Sequence, residues 1–174
     1  MTDLVDEVIA LNTRDRVVVY PSVFARPVPS FVLSKPDDWI VTELPQTVMA
    51  VGTPEPVDGV WVNASVVHER VLPTMTIEIA AQASWGQVKR AYAHAEIGDE
   101  KMMTFGELEV YMRGTDLPAT QDGPPLAQVT AIFFGPERDR PTVDLFQIVC
   151  TAPHARMPEL LPTFVAIIGS FTFL

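Results

Sequence analysis

The chain has one cysteine, Cys150, in 174 residues. An intramolecular disulfide is therefore excluded. Cys150 lies in the apolar run Leu145 to Cys150 and reads as a small buried hydrophobe. Positive charge is also scarce: 12 Lys and Arg face 22 Asp and Glu, for a net charge of −10. A phosphate backbone has to be met by a basic patch, so no nucleic-acid partner is expected. Electrostatic docking on anionic lipid is disfavoured for the same reason. The acidity itself reads as a device for solubility, with an acidic docking face as the alternative.

Groups able to do chemistry are few. There are three histidines, His68, His94 and His154. Zinc wants three or four ligands, and no Cys/His cluster supplies them. No Gly-x-Ser-x-Gly elbow is present. Cys150 and His154 are four apart, but Pro153 intervenes and Cys150 reads as a strand residue, so a nucleophile–base pair is not expected. Asp37-Asp38 and Asp99-Glu100 are adjacent carboxylates on turns, whereas a hard-cation site gathers several oxygens on one loop. The expectation is a protein that is not an enzyme, with no catalytic residue, no cofactor and no metal.

Long apolar runs are missing too. No segment reaches the roughly 18 apolar residues of a membrane span. The uncharged tail Leu160 to Leu174 is too short and contains Pro162 and Gly169, so membrane insertion is not expected. The start, Met1-Thr-Asp-Leu-Val-Asp-Glu, is acidic where a secretory signal would be basic, which makes the cytoplasm the default location.

Proline, by contrast, is plentiful at 16 residues, and hydrophobic residues make up 48%. That combination predicts one globular domain of many short elements joined by stiff turns. Residues 1–29 read as an N-terminal extension, partly β, and 30–174 as the domain. Within the extension, Leu4 to Leu11 fits a helical stripe yet is rich in β-branched residues. Val17 to Tyr20 is a β run, and Pro21, Pro27 and Pro29 mark an extended connection.

Residues 31 to 39, Phe-Val-Leu-Ser-Lys-Pro-Asp-Asp-Trp, read as a strand, a turn at Pro36-Asp-Asp38 and the opening of a second strand. Val48 to Val51 is a short strand, and Val60 to Arg70 reads as the longest. On it Val62, Ala64, Val66 and His68 share one face and Trp61, Asn63, Ser65 and Val67 the other. A helix is predicted from about 76 to 92, capped by Thr74 or Thr76, with Ile77, Ala80, Ala81, Ser84 and Val88 on its apolar stripe. Four strands follow: Lys101 to Phe105, Leu108 to Met112, Leu126 to Phe134 and Thr142 to Thr151. Gly114 to Pro125 reads as a loop. A last helix starts between Pro158 and Pro162, ends near Gly169 and is apolar nearly all round, which predicts deep burial.

Three stretches carry a resemblance: Phe31 to Trp39; Val62-Asn-Ala-Ser-Val-Val-His-Glu-Arg70 leading to Pro73 and Ile77-Glu-Ile-Ala80; and Val149-Cys-Thr-Ala-Pro153 followed by Phe164-Val-Ala-Ile-Ile-Gly-Ser-Phe171. In this order they resemble the PsbP-like superfamily, above all its bacterial DcrB/LpqN-type group, over roughly residues 30 to 174. The resemblance implies an α+β fold: an antiparallel sheet of about six to seven strands, packed by an internal helix and a C-terminal helix. It implies adaptors, chaperones or protein binders rather than enzymes, and brings no catalytic residues. Unlike the LpqN type, the chain shows no lipidation cysteine near its start, so an envelope role is not expected.

The expected function is a non-catalytic interaction module, with a protein partner or a second copy of the chain as partner. Trp61, His68 and Trp85 are the candidate interaction residues. Tryptophan is frequent in interface hot spots, although Trp61 also reads as plain cover for the sheet. An inward His68 needs a polar partner, which makes it a satisfied rim histidine. The second reading is a carrier of a small apolar ligand or lipid, in a cavity between the sheet and the C-terminal helix, with seven methionines to adapt to its contents.

Overall fold

A computed structural model describes residues 27–121, 123–137 and 141–174. The expectations for Leu4 to Leu11 and Val17 to Tyr20 lie outside the described residues. The elements run β1 (Phe31–Val32), β2 (Ile40–Thr42), β3 (Met49–Gly52), β4 (Asn63–Val71), α1 (Ile77–Ala91), β5 (Glu96–Phe105), β6 (Leu108–Leu117), β7 (Leu126–Phe134), β8 (Val143–Pro153), a short 3-10 turn (His154–Arg156), α2 (Met157–Gly169) and β9 (Thr172–Phe173). Seven strands form one antiparallel sheet in the order β2-β3-β4-β8-β7-β6-β5, and β1 pairs with β9 in a second, two-stranded sheet. This is the expected α+β class.

Alternation along the strands gives the sheet two faces. On the first, Val66, Phe133, Phe146 and Ile148 meet Phe164, Ile167 and Ile168 of α2, with Phe171 just beyond the helix. Trp39 is 5% exposed and lies edge-on to the Phe164 ring at 6.1 Å, so it anchors this face, as its place at the opening of an apolar run suggests. Phe31, Phe133, Phe146 and Phe171 stack or meet edge to face, which ties the small sheet to the large one. On the second face α1 sets Ala80 and Ala81 against Ile132, Phe134, Val143 and Leu145. Thr76 caps α1, its hydroxyl accepting from the Ile79 amide at 3.4 Å.

Four expectations need correction. The strand and the second strand read on either side of the turn in residues 31 to 39 do not pair with each other: the turn is there, with the Trp39 amide bonded to the Pro36 carbonyl at 3.1 Å, but β1 leaves for the C-terminal β9 and β2 joins the large sheet. Local alternation cannot reveal a partner 140 residues away. The longest described strand is β8, with 11 residues, not β4 with 9. β6 continues through Gly114 to Leu117, because Thr115 and Leu117 find cross-strand partners in Gln128 and Leu126. Helix α2 starts at Met157 and keeps Pro162 inside, and only Phe164, Ile167 and Ile168 of it are buried, so it is a one-sided cover and not a submerged rod.

Candidate functional site

The two margins of the large sheet differ in chemistry. β5 is one edge, and it carries Glu96, Asp99, Glu100 and Lys101, with a register shift between Ile97 and Glu100. Charges and a bulge of this kind keep an edge from pairing with a stranger. β2 is the other edge, and it carries Ile40, Val41 and Thr42 without a charge. Ile40 is 46% exposed and Val41 65%. Around them Leu44, Val48 and Trp61 are exposed as well. Ile40, Thr42, Leu44 and Trp61 line a cleft of about 260 Å³ whose walls are mostly apolar. No described strand pairs with the outer side of β2.

The loop that presents Trp61 is held firmly. Asp58 and Gly59 have φ of 49° and 80°, the pair of positive values that a two-residue hairpin turn demands. Val57 and Val60 close that turn with mutual hydrogen bonds of 2.8 and 2.9 Å. The Asp58 carboxylate then accepts from Arg156 Nε at 2.7 Å at the foot of α2. That bond holds the Asp58 carboxyl below its ordinary range. Gly52 lets β3 pass close to the next segment, since a Cβ there would lie 2.6 Å from the Val62 carbonyl oxygen.

The three sequence-predicted residues are not brought together. Trp61 stands at the β2 margin. His68 points to the α2 face at the far end of β4, where its Nε2 meets Asp144 Oδ1 at 2.8 Å and its ring lies 5.0 Å from that of Phe146. Arg70 Nε approaches the same oxygen at 3.4 Å. His68 is thus the satisfied rim histidine its alternation suggests. Trp85 is half-buried on α1, with Arg113 at 5.2 Å and Lys89 at 5.6 Å from its ring.

Cys150 and His154 are not placed as a nucleophile and its base. Cys150 is fully buried, which pushes its thiol well above the ordinary value. His154 is exposed and pairs with Asp116 at 3.1 Å. No group of His, Cys, Asp or Glu suited to a metal ion occurs among the described residues. Under α2 the core is filled by its own side chains. At the flank of that helix lies an open groove of about 300 Å³ between Met103, Met112, Val129, Leu161 and Val165. Among the described residues no helix is long and apolar enough to cross a membrane.

Comparison with solved structures decides the fold. LpqN of Mycobacterium tuberculosis, described as involved in cell envelope biogenesis, superposes with a TM-score of 0.66 at 17% identity, covering 83% of each chain. The cyanobacterial PsbP of Synechocystis superposes with a TM-score of 0.59 at 12% identity, covering 89% of this chain and 99% of that one. The fold is PsbP-like. A protein of unknown function from Pseudomonas aeruginosa shares it at a TM-score of 0.52 and 9% identity, over 80% of this chain and 94% of its own. No family model and no curated protein matches the chain. The PsbP-like architecture, with LpqN among the structures that have it, is the one the sequence resemblance implies. The β2 margin went unnoticed in the sequence because Ile40-Val-Thr42 reads as an ordinary inner strand. The signal available was its brevity, between Asp37-Asp38 and Glu43-Leu-Pro45.

Proposed function

We infer that the protein is a non-catalytic interaction module whose docking edge is β2. The observation that supports this most is the contrast between margins: β5 is charged and bulged, while β2 offers backbone and exposed apolar side chains. An edge of this kind takes an added strand from a partner, with main-chain hydrogen bonds for affinity and side-chain pockets for selectivity. The cleft beside Trp61 is the pocket for one such side chain.

Charge favours the kind of partner. Asp37, Asp38 and Glu43 are all exposed and bracket β2. Two copies pairing edge to edge in antiparallel fashion would bring these acids together across the seam, and like charges in such positions oppose pairing. An extended apolar segment with Lys or Arg at its ends meets the edge without that conflict. The reading therefore favours a different protein over a second copy of the chain. The domain that carries the edge is residues 30–174 on this proposal, with Val28 and the Pro27 carbonyl, which accepts from Arg70 at 3.0 Å, at its threshold.

The test is titration of the labelled protein with a short peptide of alternating valine and threonine, flanked by lysines, followed by amide chemical shifts. Shifts centred on residues 40–42, weakened by Val41→Lys, are expected. Shifts centred on β5, or none at saturating peptide, would overturn the assignment.

A further inference from the structure

The face of the sheet under α1 is apolar at one end and polar at the other. Ser65, Ser84, Arg113, Thr115, Thr130 and Gln147 are all at least nine-tenths buried. Cross-strand register groups them. Ser65, Val149, Thr130 and Arg113 form one row across β4, β8, β7 and β6. Gln147 stands in the row beside it, opposite Val67 and Ile132. Thr115 lies on the other side of the first row, opposite Gln128. A cleft of about 650 Å³ opens beside them, lined by Ser84, Thr130 and Gln147 of this group, with the exposed Glu69 at its margin and Arg113 and Thr115 behind its walls. Val67, Gln128, Thr130 and Gln147 give its floor, Ser84 and Gln87 of α1 one wall, and the turn at Gln46 the other.

Two of these buried groups have an atom with nothing to bond. Arg113 Nε and the Thr115 hydroxyl have no hydrogen-bond partner. The Thr130 hydroxyl and the Gln147 amide also bond to nothing among the described residues, but they open into the cleft and are not sealed off like those two atoms. A buried polar group without a partner is costly, and native proteins hold few of them. Arg113 is the sharpest case. It is 1% exposed, and its hydrogen bonds go to two neutral acceptors: Nη1 to the Ala81 carbonyl at 3.0 Å and Nη2 to Ser84 Oγ at 3.2 Å. Trp85 and Tyr111 cover it with their rings. No carboxylate of the described residues forms an ion pair with it. Buried charges normally find a counter-charge, and this one has none among the described residues.

The Ser84 hydroxyl links that charge to the cleft. Its oxygen accepts from Arg113, so its proton is free to donate away from the guanidinium. With the Thr130 O–H and the Gln147 amide N–H, it makes a set of donors on the floor and wall of one cleft. We propose that this cleft is a binding site for a small polar carboxylate, whose anionic group accepts from Ser84, Thr130 and Gln147 and is balanced by Arg113 behind them. The cleft volume falls in the range of small-molecule sites, about 300–1,000 Å³. One cation matches a carboxylate better than a phosphate dianion. The site is distinct from the β2 edge and does not depend on the docking reading.

The experiment is a thermal-shift and calorimetric screen of the full chain against 2-hydroxy acids, 2-oxo acids and amino acids at millimolar concentration. Each acid is paired with its neutral amide. The same screen is run on Thr130→Val and Gln147→Leu. At least one acid is expected to raise Tm in a concentration-dependent way, as any ligand of the native state does, while its amide does not. Each substitution should weaken that binding by roughly tenfold or more, the order of one lost hydrogen bond to a charged group. Thr130→Val should keep or raise the Tm of the free protein, since its hydroxyl has no partner to lose among the described residues. The proposal is overturned if no acid shifts Tm. It is also overturned if the two variants lower the free protein's Tm yet bind an acid as the parent does, because the groups would then be structural.

Discussion

The two edges of one sheet are built to opposite specifications. β5 is ten residues long, carries charges of both signs and loses register at its bulge, so an incoming strand finds neither a flat ladder nor a uniform surface. β2 is three residues long and uncharged, and it is flanked by apolar side chains open to solvent. An edge that had to be silenced would not combine Val41 at 65% exposure with Trp61 at 55%. What the contrast teaches is that the two margins are handled differently: charge and a bulge guard β5, while β2 has only its brevity.

The largest effect that can test this comparison separates two tryptophans near β2. Trp39→Ala should cost about 3–5 kcal/mol, because the ring is buried against Phe164 and leaves a cavity. Trp61→Ala should cost less than about 1 kcal/mol, since an exposed side chain supports little. Urea unfolding of both variants checks the pair. Similar losses would mean that Trp61 is structural and that the β2 margin is core.

Next comes Gly52→Ala, on β3 beside the edge. The new Cβ meets a backbone oxygen, so a loss of about 1–3 kcal/mol is expected from overpacking. The same denaturant midpoint measures it. A neutral result would show that the β3–β4 junction yields easily, and the edge would then have no rigid backing.

Charge exchange between the margins should shift behaviour more than stability. Val41→Lys should leave Tm within the small range of a surface change and reduce peptide binding. Glu100→Val with Lys101→Val should make β5 associate, seen as concentration-dependent mass in light scattering. If the β5 double variant keeps the parent's mass at every concentration, charge is not what protects that edge.

The smallest effect is a pH dependence. Arg156 holds Asp58 below the ordinary carboxylate value, so the charged form is favoured in the fold. Its contribution to stability is present above the unfolded pKa, near pH 4, and is lost as pH falls through the lower folded value. Asp58→Asn keeps a residue tolerant of positive φ and removes the charge. Its stability deficit relative to the parent should be present at pH 6 and shrink as the pH falls toward about 2, measured by thermal melts across that range.

Much of the architecture was legible because it rests on local pattern. Val62, Ala64, Val66 and His68 share a face in the structure as their alternation requires, and Thr76 caps α1 as its place before the apolar stripe suggests. What was hidden depends on distant residues. β1 cannot be assigned to β9 without the C-terminus folding back. Gly114 and Pro118 look like loop signals around a strand that runs to Leu117 because β7 is there to pair with it. The polar cleft was missed for a similar reason. Arg113, between Met112 and Gly114, reads as a solvent-facing residue until α1 covers it. The alternation of Tyr111, Arg113 and Thr115 against Val110 and Met112 was the available hint.

The central claim is that β2, and not β5, is the edge other proteins meet. The direct measurement is photo-crosslinking in the native host, with a photoreactive residue placed at Val41 in one strain and at Lys101 in another. The account predicts a discrete adduct of defined mass from position 41, lost when Ile40→Lys is added, and none from position 101. Equal crosslinking at both positions, or adducts from position 101 alone, would contradict it.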